Sequence, residues 1–127
     1  MDRRQLLRFA AVAVVTLALA ACGEERSGEV ATSPLGANDA TDYEYVVPYG
    51  TGNKLDAGEV IEIMPQTLDV KVGESIRIVN DDIRDYMIGP FFVTAGQTLA
   101  MRFTHPGVLT GICLVNPGGE FTINVAE

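Results

Sequence analysis

The strongest constraint on this chain is a series of short segments in which apolar residues return at every second position. Ile61 and Ile63 alternate with Val60 and Glu62. Leu68, Val70 and Val72 alternate with Asp69 and Lys71, and Ile76 and Ile78 with Ser75 and Arg77. Leu99, Met101 and Phe103 alternate with Ala100 and Arg102, and Phe121, Ile123 and Val125 with Thr122 and Asn124. Successive side chains of a strand point to opposite faces, so period two marks a strand with one buried face. Gly73-Glu74, Ala95-Gly96-Gln97, Pro106-Gly107 and Asn116-Pro117-Gly118-Gly119 separate the runs with turn residues. Tyr43 to Val47 is either a first strand or the end of a linker, and Gly50 to Gly58 reads as loop. No stretch has helical periodicity. Many short strands at this spacing predict an all-β chain closed as a β-sandwich or small barrel.

The first 21 residues follow another rule. Arg3, Arg4 and Arg8 form a basic start, and an apolar run from Phe9 to Ala21 is interrupted only by Thr16. About 13 apolar residues are too few for a bilayer core that needs roughly 20. The run ends in Leu19-Ala20-Ala21-Cys22, which resembles the lipobox cleaved by lipoprotein signal peptidase. Residues 1–21 are therefore expected to be a signal peptide, with Cys22 lipidated. Each buried CH₂ contributes about 0.8 kcal/mol, so the two or more acyl chains of such a cysteine give stable attachment. Arg3-Arg4-Gln5-Leu6-Leu7-Arg8 also resembles the twin-arginine signal for exporting folded proteins, and an ordinary basic start fits these residues equally well. The expected location is a bacterial membrane, with the domain facing the periplasm or the cell exterior.

Removing 21 of the 127 residues leaves 106, enough for one small domain and a tail. Residues 22–42 are rich in small, polar and acidic side chains and read as a flexible acidic tether. The domain is placed at 43–127, with its core at 59–127. The whole chain carries a net charge of −8, and losing three Arg and one Asp with the signal takes it to −10. That charge excludes nucleic acid as a partner class and opposes adhesion to anionic lipid heads. Of the two cysteines, lipid takes Cys22, so Cys113 has no intrachain disulfide partner.

Three blocks then stand in a telling order. Leu68 to Asn80 reads strand, Gly turn, strand and a terminal Asn. Ile88-Gly89-Pro90-Phe91-Phe92-Val93 follows. Phe103-Thr104-His105-Pro106-Gly107 leads to Cys113 and then to Phe121-Thr122-Ile123-Asn124-Val125. Over roughly residues 59–127 this order resembles the cupredoxin family of small blue-copper proteins. The resemblance implies a Greek-key β-sandwich with a metal position at one end. In that family the copper ligands are a His beyond the Asn-bearing strand, a Cys, a second His and often a Met. Two imidazoles and a thiolate suit both copper oxidation states, and a weak axial thioether tunes the potential.

The positions that the resemblance assigns hold other residues. The first His position falls at Tyr86, or alternatively Met87. Cys113 is the cysteine, the second His position is Asn116, and Glu120 stands nearest the axial one. A phenol stays protonated at neutral pH, and an amide oxygen is a poor copper ligand beside imidazole. His105 is the only histidine. The eight residue steps from it to Cys113 span up to roughly 26 Å if extended, which puts His105 at the opposite end as an exposed turn residue. Asp81, Asp82 and Asp85 are acidic enough for a hard cation but read more simply as a solvated turn. Cys113 reads first as a buried small apolar residue.

No Ser/His/Asp set, phosphate-binding loop or catalytic carboxylate pair is present, so the chain is not expected to be an enzyme. The expectation is a membrane-tethered cupredoxin-like module that lacks the usual copper site, needs no cofactor and serves an envelope protein. The alternative is a copper-binding or electron-transfer protein with an atypical site centred on Cys113, completed by Tyr86, Asn116, Glu120 or a partner's ligand.

Overall fold

The computed structural model describes residues 31–36 and 38–127. The expected signal peptide and Cys22 lie outside the described residues. Among the described residues the strands are β1 (Thr32–Pro34), β2 (Tyr43–Val47), β3 (Thr67–Lys71), β4 (Ser75–Asn80), β5 (Tyr86–Ile88), β6 (Phe91–Val93), β7 (Thr98–Phe103), β8 (Gly107–Ile112) and β9 (Glu120–Ala126), with one short helix, α1 (Thr51–Asp56).

One sheet has the order β1-β7-β4-β2, and the other has β3-β9-β8. A β5-β6 ribbon joins the second sheet through a bridge between Ile88 and Cys113. The pairs β2–β4 and β3–β9 are parallel, so each is joined by a crossover, while β4–β7 and β8–β9 are antiparallel. The alternation sets which face is buried. Ile76 and Ile78 of β4, Phe103 of β7, Phe121 and Ile123 of β9 and Ile88 of β5 all point into one core between the sheets. Truncating such a side chain costs about 2–5 kcal/mol. The fold is the all-β sandwich that the alternation and turns predict.

Three local expectations are corrected. The segment expected to be a loop, 50–58, contains α1, whose six residues are too few to show a helical period. Gly50 starts it at φ 90°, a left-handed backbone that suits a residue without a Cβ. The alternation at Ile61 and Ile63 makes no strand. This segment packs half-buried against the core and bonds by its Ile63 amide to the Val115 carbonyl, 2.9 Å away. Apolar alternation reports a buried side but not a ladder partner, and here no ladder partner is supplied.

The third correction concerns the expected tether. Within its described residues, β1 pairs with β7 at Thr32–Phe103 through Pro34–Met101. The chain then crosses to the far edge of the same sheet, where Asp42 binds Ser75 through backbone and side chain. The Arg77 guanidinium also donates to the Asp39 carbonyl. Three residues carry too little pattern to be read as a strand, and only the open edge of β7 makes them one.

Candidate functional site

The end of the sandwich beyond β4 is organised by Asp82. Asn80 closes β4 and is fully buried. Its side-chain amide donates to the carbonyls of Arg84 (2.7 Å) and Val93 (3.2 Å), and its Oδ1 accepts from the Asp82 amide (3.0 Å). The chain therefore turns inward, and Asp82 is only 3% exposed. Its Oδ1 accepts from the amides of Gly50 (3.1 Å) and Ile83 (2.9 Å), and its Oδ2 from the Gly52 amide (2.8 Å) and the Tyr86 hydroxyl (2.5 Å). Four donors on one buried carboxylate offset its desolvation. The Tyr86 hydroxyl first, then the three amides, hold the Asp82 carboxyl down to about 2 against the opposing pull of burial.

Tyr86 is likewise 3% exposed. Burial, and then the hydrogen bond and charge of Asp82, push its phenol well above the ordinary range. It remains a neutral donor to Asp82. A second tie joins α1 to this turn, where Arg84 makes a two-pronged pair with Asp56. This pair lowers the Asp56 carboxyl and raises the Arg84 guanidinium. A Cβ on Gly52 would come within 2.5 Å of the Arg84 side chain, so the helix start is shaped to let Arg84 pass.

Cys113 follows β8 directly and is fully buried. Its bridge partner is Ile88, two residues along β5 from Tyr86 on the same inward face, and Tyr86, Cys113 and Val115 share the buried core. The Cys113 amide donates to the Gly119 carbonyl at 2.9 Å and closes the intervening loop. Burial pushes the thiol up, against a weaker pull from the Val115 amide, so the reactive thiolate is disfavoured. Asn116 is buried in that loop. Its Nδ2 donates to the Glu120 carbonyl (2.7 Å) and reaches the Pro65 carbonyl at 3.5 Å, while its Oδ1 is buried without a hydrogen-bond partner.

Of the positions that the resemblance assigned, Tyr86 and Cys113 come together in the core, and Asn116 closes the loop beside them. Glu120 does not join them. It is exposed on β9 and accepts from the Thr110 hydroxyl at 3.0 Å. Met87 points outward from β5. His105 is exposed in the β7–β8 turn, with its Nδ1 2.9 Å from the Thr104 hydroxyl. The acidic turn divides: Asp81 and Asp85 are exposed as expected, but Asp82 is the buried hub. That role was invisible because it depends on Gly50 and Gly52, some 30 residues earlier. Met64, buried in the same core, was also passed over, since only the fold of its segment turns it inward.

This donor set does not match the imidazole pair and thiolate of a blue-copper centre. The Tyr86 hydroxyl is committed to Asp82, the Asn116 amide nitrogen to carbonyls, and the Cys113 thiol to its protonated form. Among the described residues, no group of three or more His, Cys, Asp and Glu is placed to hold a metal ion.

No protein-family model and no curated protein sequence matches the chain. Among solved structures it is similar to amicyanin from Paracoccus versutus (Thiobacillus versutus), with 15% identity and a TM-score of 0.46 over 75% of this chain and 97% of that one. A methionine-to-alanine variant of amicyanin in its Cu(I) form gives 15% identity and a TM-score of 0.45, over 76% of this chain and 99% of that one. The oxidised state of a proline-to-alanine variant gives 17% and 0.43 over the same shares. All three TM-scores lie below 0.5, and this remote likeness carries no argument about ligand or partner.

Proposed function

We propose that the protein is a membrane-tethered, extracytoplasmic cupredoxin-like module of the cell envelope that works without a blue-copper centre, as a binding or accessory protein rather than an enzyme. The observation that carries this reading is the 2.5 Å bond from the Tyr86 hydroxyl to Asp82. A phenol at the first ligand position that is buried, protonated and donating to Asp82 could become a phenolate ligand only by giving up the proton that holds the hub together. The orphaned Asn116 Oδ1 is a weak single donor and does not replace an imidazole. The tethered placement rests on the basic start, the short apolar run and the Leu19-Ala20-Ala21-Cys22 lipobox.

Adding one equivalent of Cu(II) to the purified protein tests the metal-free reading. The expected result is no thiolate-to-copper charge-transfer band and no competition for Cu(I) against a chelator. An intense band that Cys113→Ala abolishes would overturn the reading in favour of an atypical copper site at Cys113. Fractionating cells that carry Cys22→Ser tests the anchor, and the protein should leave the membrane pellet.

A further inference from the structure

The outward side of the β5–β6 ribbon is unusually apolar. Cys113 faces Ile88 across the bridge and points inward, which sets Leu114 beside Met87, and Met87 in turn pairs with Phe92. Leu114, Met87 and Phe92 thus form one row across three neighbouring stretches of backbone, all pointing outward. Ile112 adds a fourth apolar side chain two residues from Leu114. These four are 48–66% exposed. Four large apolar side chains exposed on one side are the kind of grouping that marks an interaction site on a monomer. The inward neighbours Tyr86, Ile88, Phe91, Val93 and Cys113 are buried, so the backbone beneath the row is held in place. A fixed surface loses little entropy on binding.

Phe92 also lines a groove of ≈ 320 Å³ between β1, β6 and β7, with Pro34, Leu35, Leu99 and Met101 around it. The row is therefore continuous with a concavity able to take one anchoring side chain, the arrangement that concentrates binding energy at interfaces.

Charge selects the occupant. Glu120 pairs with Ile112 at one side, and Asp85 closes the other end of the ribbon through the Ala95 amide at 2.8 Å. Arg84, the neighbouring cation, is held by Asp56. The rim is acidic and the chain past the signal carries −10, so both a second copy and an anionic lipid surface would be repelled.

We propose that the Leu114–Met87–Phe92 row and the adjoining groove dock a partner protein whose contact surface is an apolar anchor ringed by Lys and Arg. This names the partner class for the binding module proposed above and rests on that reading.

The test is photo-crosslinking in intact cells, with the full-length lipoprotein carrying a photoreactive amino acid in place of Phe92. The expected product joins it to one protein at a peptide holding a large apolar residue flanked by Lys or Arg. Its yield should fall about tenfold with Met87→Glu or Leu114→Glu, fall with added salt, and stay unchanged with Val108→Glu, an exposed site farther along β8. Unchanged melting curves show that the variants fold. A product joined to another copy of the chain or to lipid would overturn the proposal, as would a yield indifferent to Met87 and Leu114. Copper uptake is measured separately on the same protein, so a copper band with an intact crosslink would sink the metal-free reading and leave the docking surface standing.

Discussion

The two halves of the Tyr86–Cys113 end are built on opposite terms. In the half from Asn80 to Tyr86, each buried polar group named above has its partners, and one carboxylate gathers four donors from three segments. In the half from Cys113 to Asn116, a thiol sits among apolar side chains and an amide oxygen has no partner. The first half is a closed polar unit in which tyrosine and aspartate complete each other. The second is a tight loop with one unmet acceptor. A buried polar residue is stable when its partner is buried with it, and that condition holds on one side only. Stability should therefore depend far more on the Asp82 side.

The largest expected effect is at the hub itself. Asp82→Ala removes the acceptor of three amides and a phenol at once. At about 1–3 kcal/mol for each buried donor left unmet, chemical denaturation should show a loss of about 3 kcal/mol or more. A loss under 1 kcal/mol would mean that water replaces the carboxylate and that the two halves do not differ.

Next comes the seam between the halves. A Cβ on Gly111 would lie 2.2 Å from the backbone oxygen of Gly89, which cannot swing aside as a side chain would. Gly111→Ala should part β8 from β5 at a cost of about 1–3 kcal/mol, with faster amide exchange at Gly89, whose N–H bonds the Ile112 carbonyl at 2.8 Å.

Tyr86→Phe is expected to cost about 1–2 kcal/mol, since it deletes one donor to a buried carboxylate. It carries a pH signature as well. The Asp82 carboxyl is lower in the folded protein, at about 2, than its ordinary 3.8. Its contribution is thus complete above pH 3.8 and is lost as the pH falls toward 2. Without the hydroxyl, the main cause of the lowering, the folded value should rise and the acid-unfolding midpoint should move to higher pH. An unmoved midpoint would assign the lowering to the amides alone.

The smallest effect belongs to the other half. Asn116→Ala loses the Nδ2 bonds to two carbonyls but also removes the unmet Oδ1, so a net change within about 1 kcal/mol is expected. A loss as large as that of Asp82→Ala would show that Asn116 is a second hub.

Much of this was legible in the residues. The alternation through Ile76–Ile78, Leu99–Phe103 and Phe121–Val125 gives the strands and their buried faces, because side-chain direction in a strand is a local property of the backbone. Tyr86 and Cys113 lie outside those alternating runs and were singled out by the resemblance alone; both are buried. His105 sits at its exposed turn because a strand has a fixed rise per residue. Other features depended on contacts between residues far apart in the chain. β1 exists because β7 has an open edge, and α1 because Asp82 receives its first amides. Ile61 and Ile63 form no strand because no neighbour pairs with them. Asp82 looked like its neighbours Asp81 and Asp85, and only tertiary packing made one of three adjacent carboxylates the buried centre of this end of the molecule. Periodicity is written residue by residue, whereas a hydrogen-bond hub is a meeting of segments whose cost and gain exist only once the chain has folded.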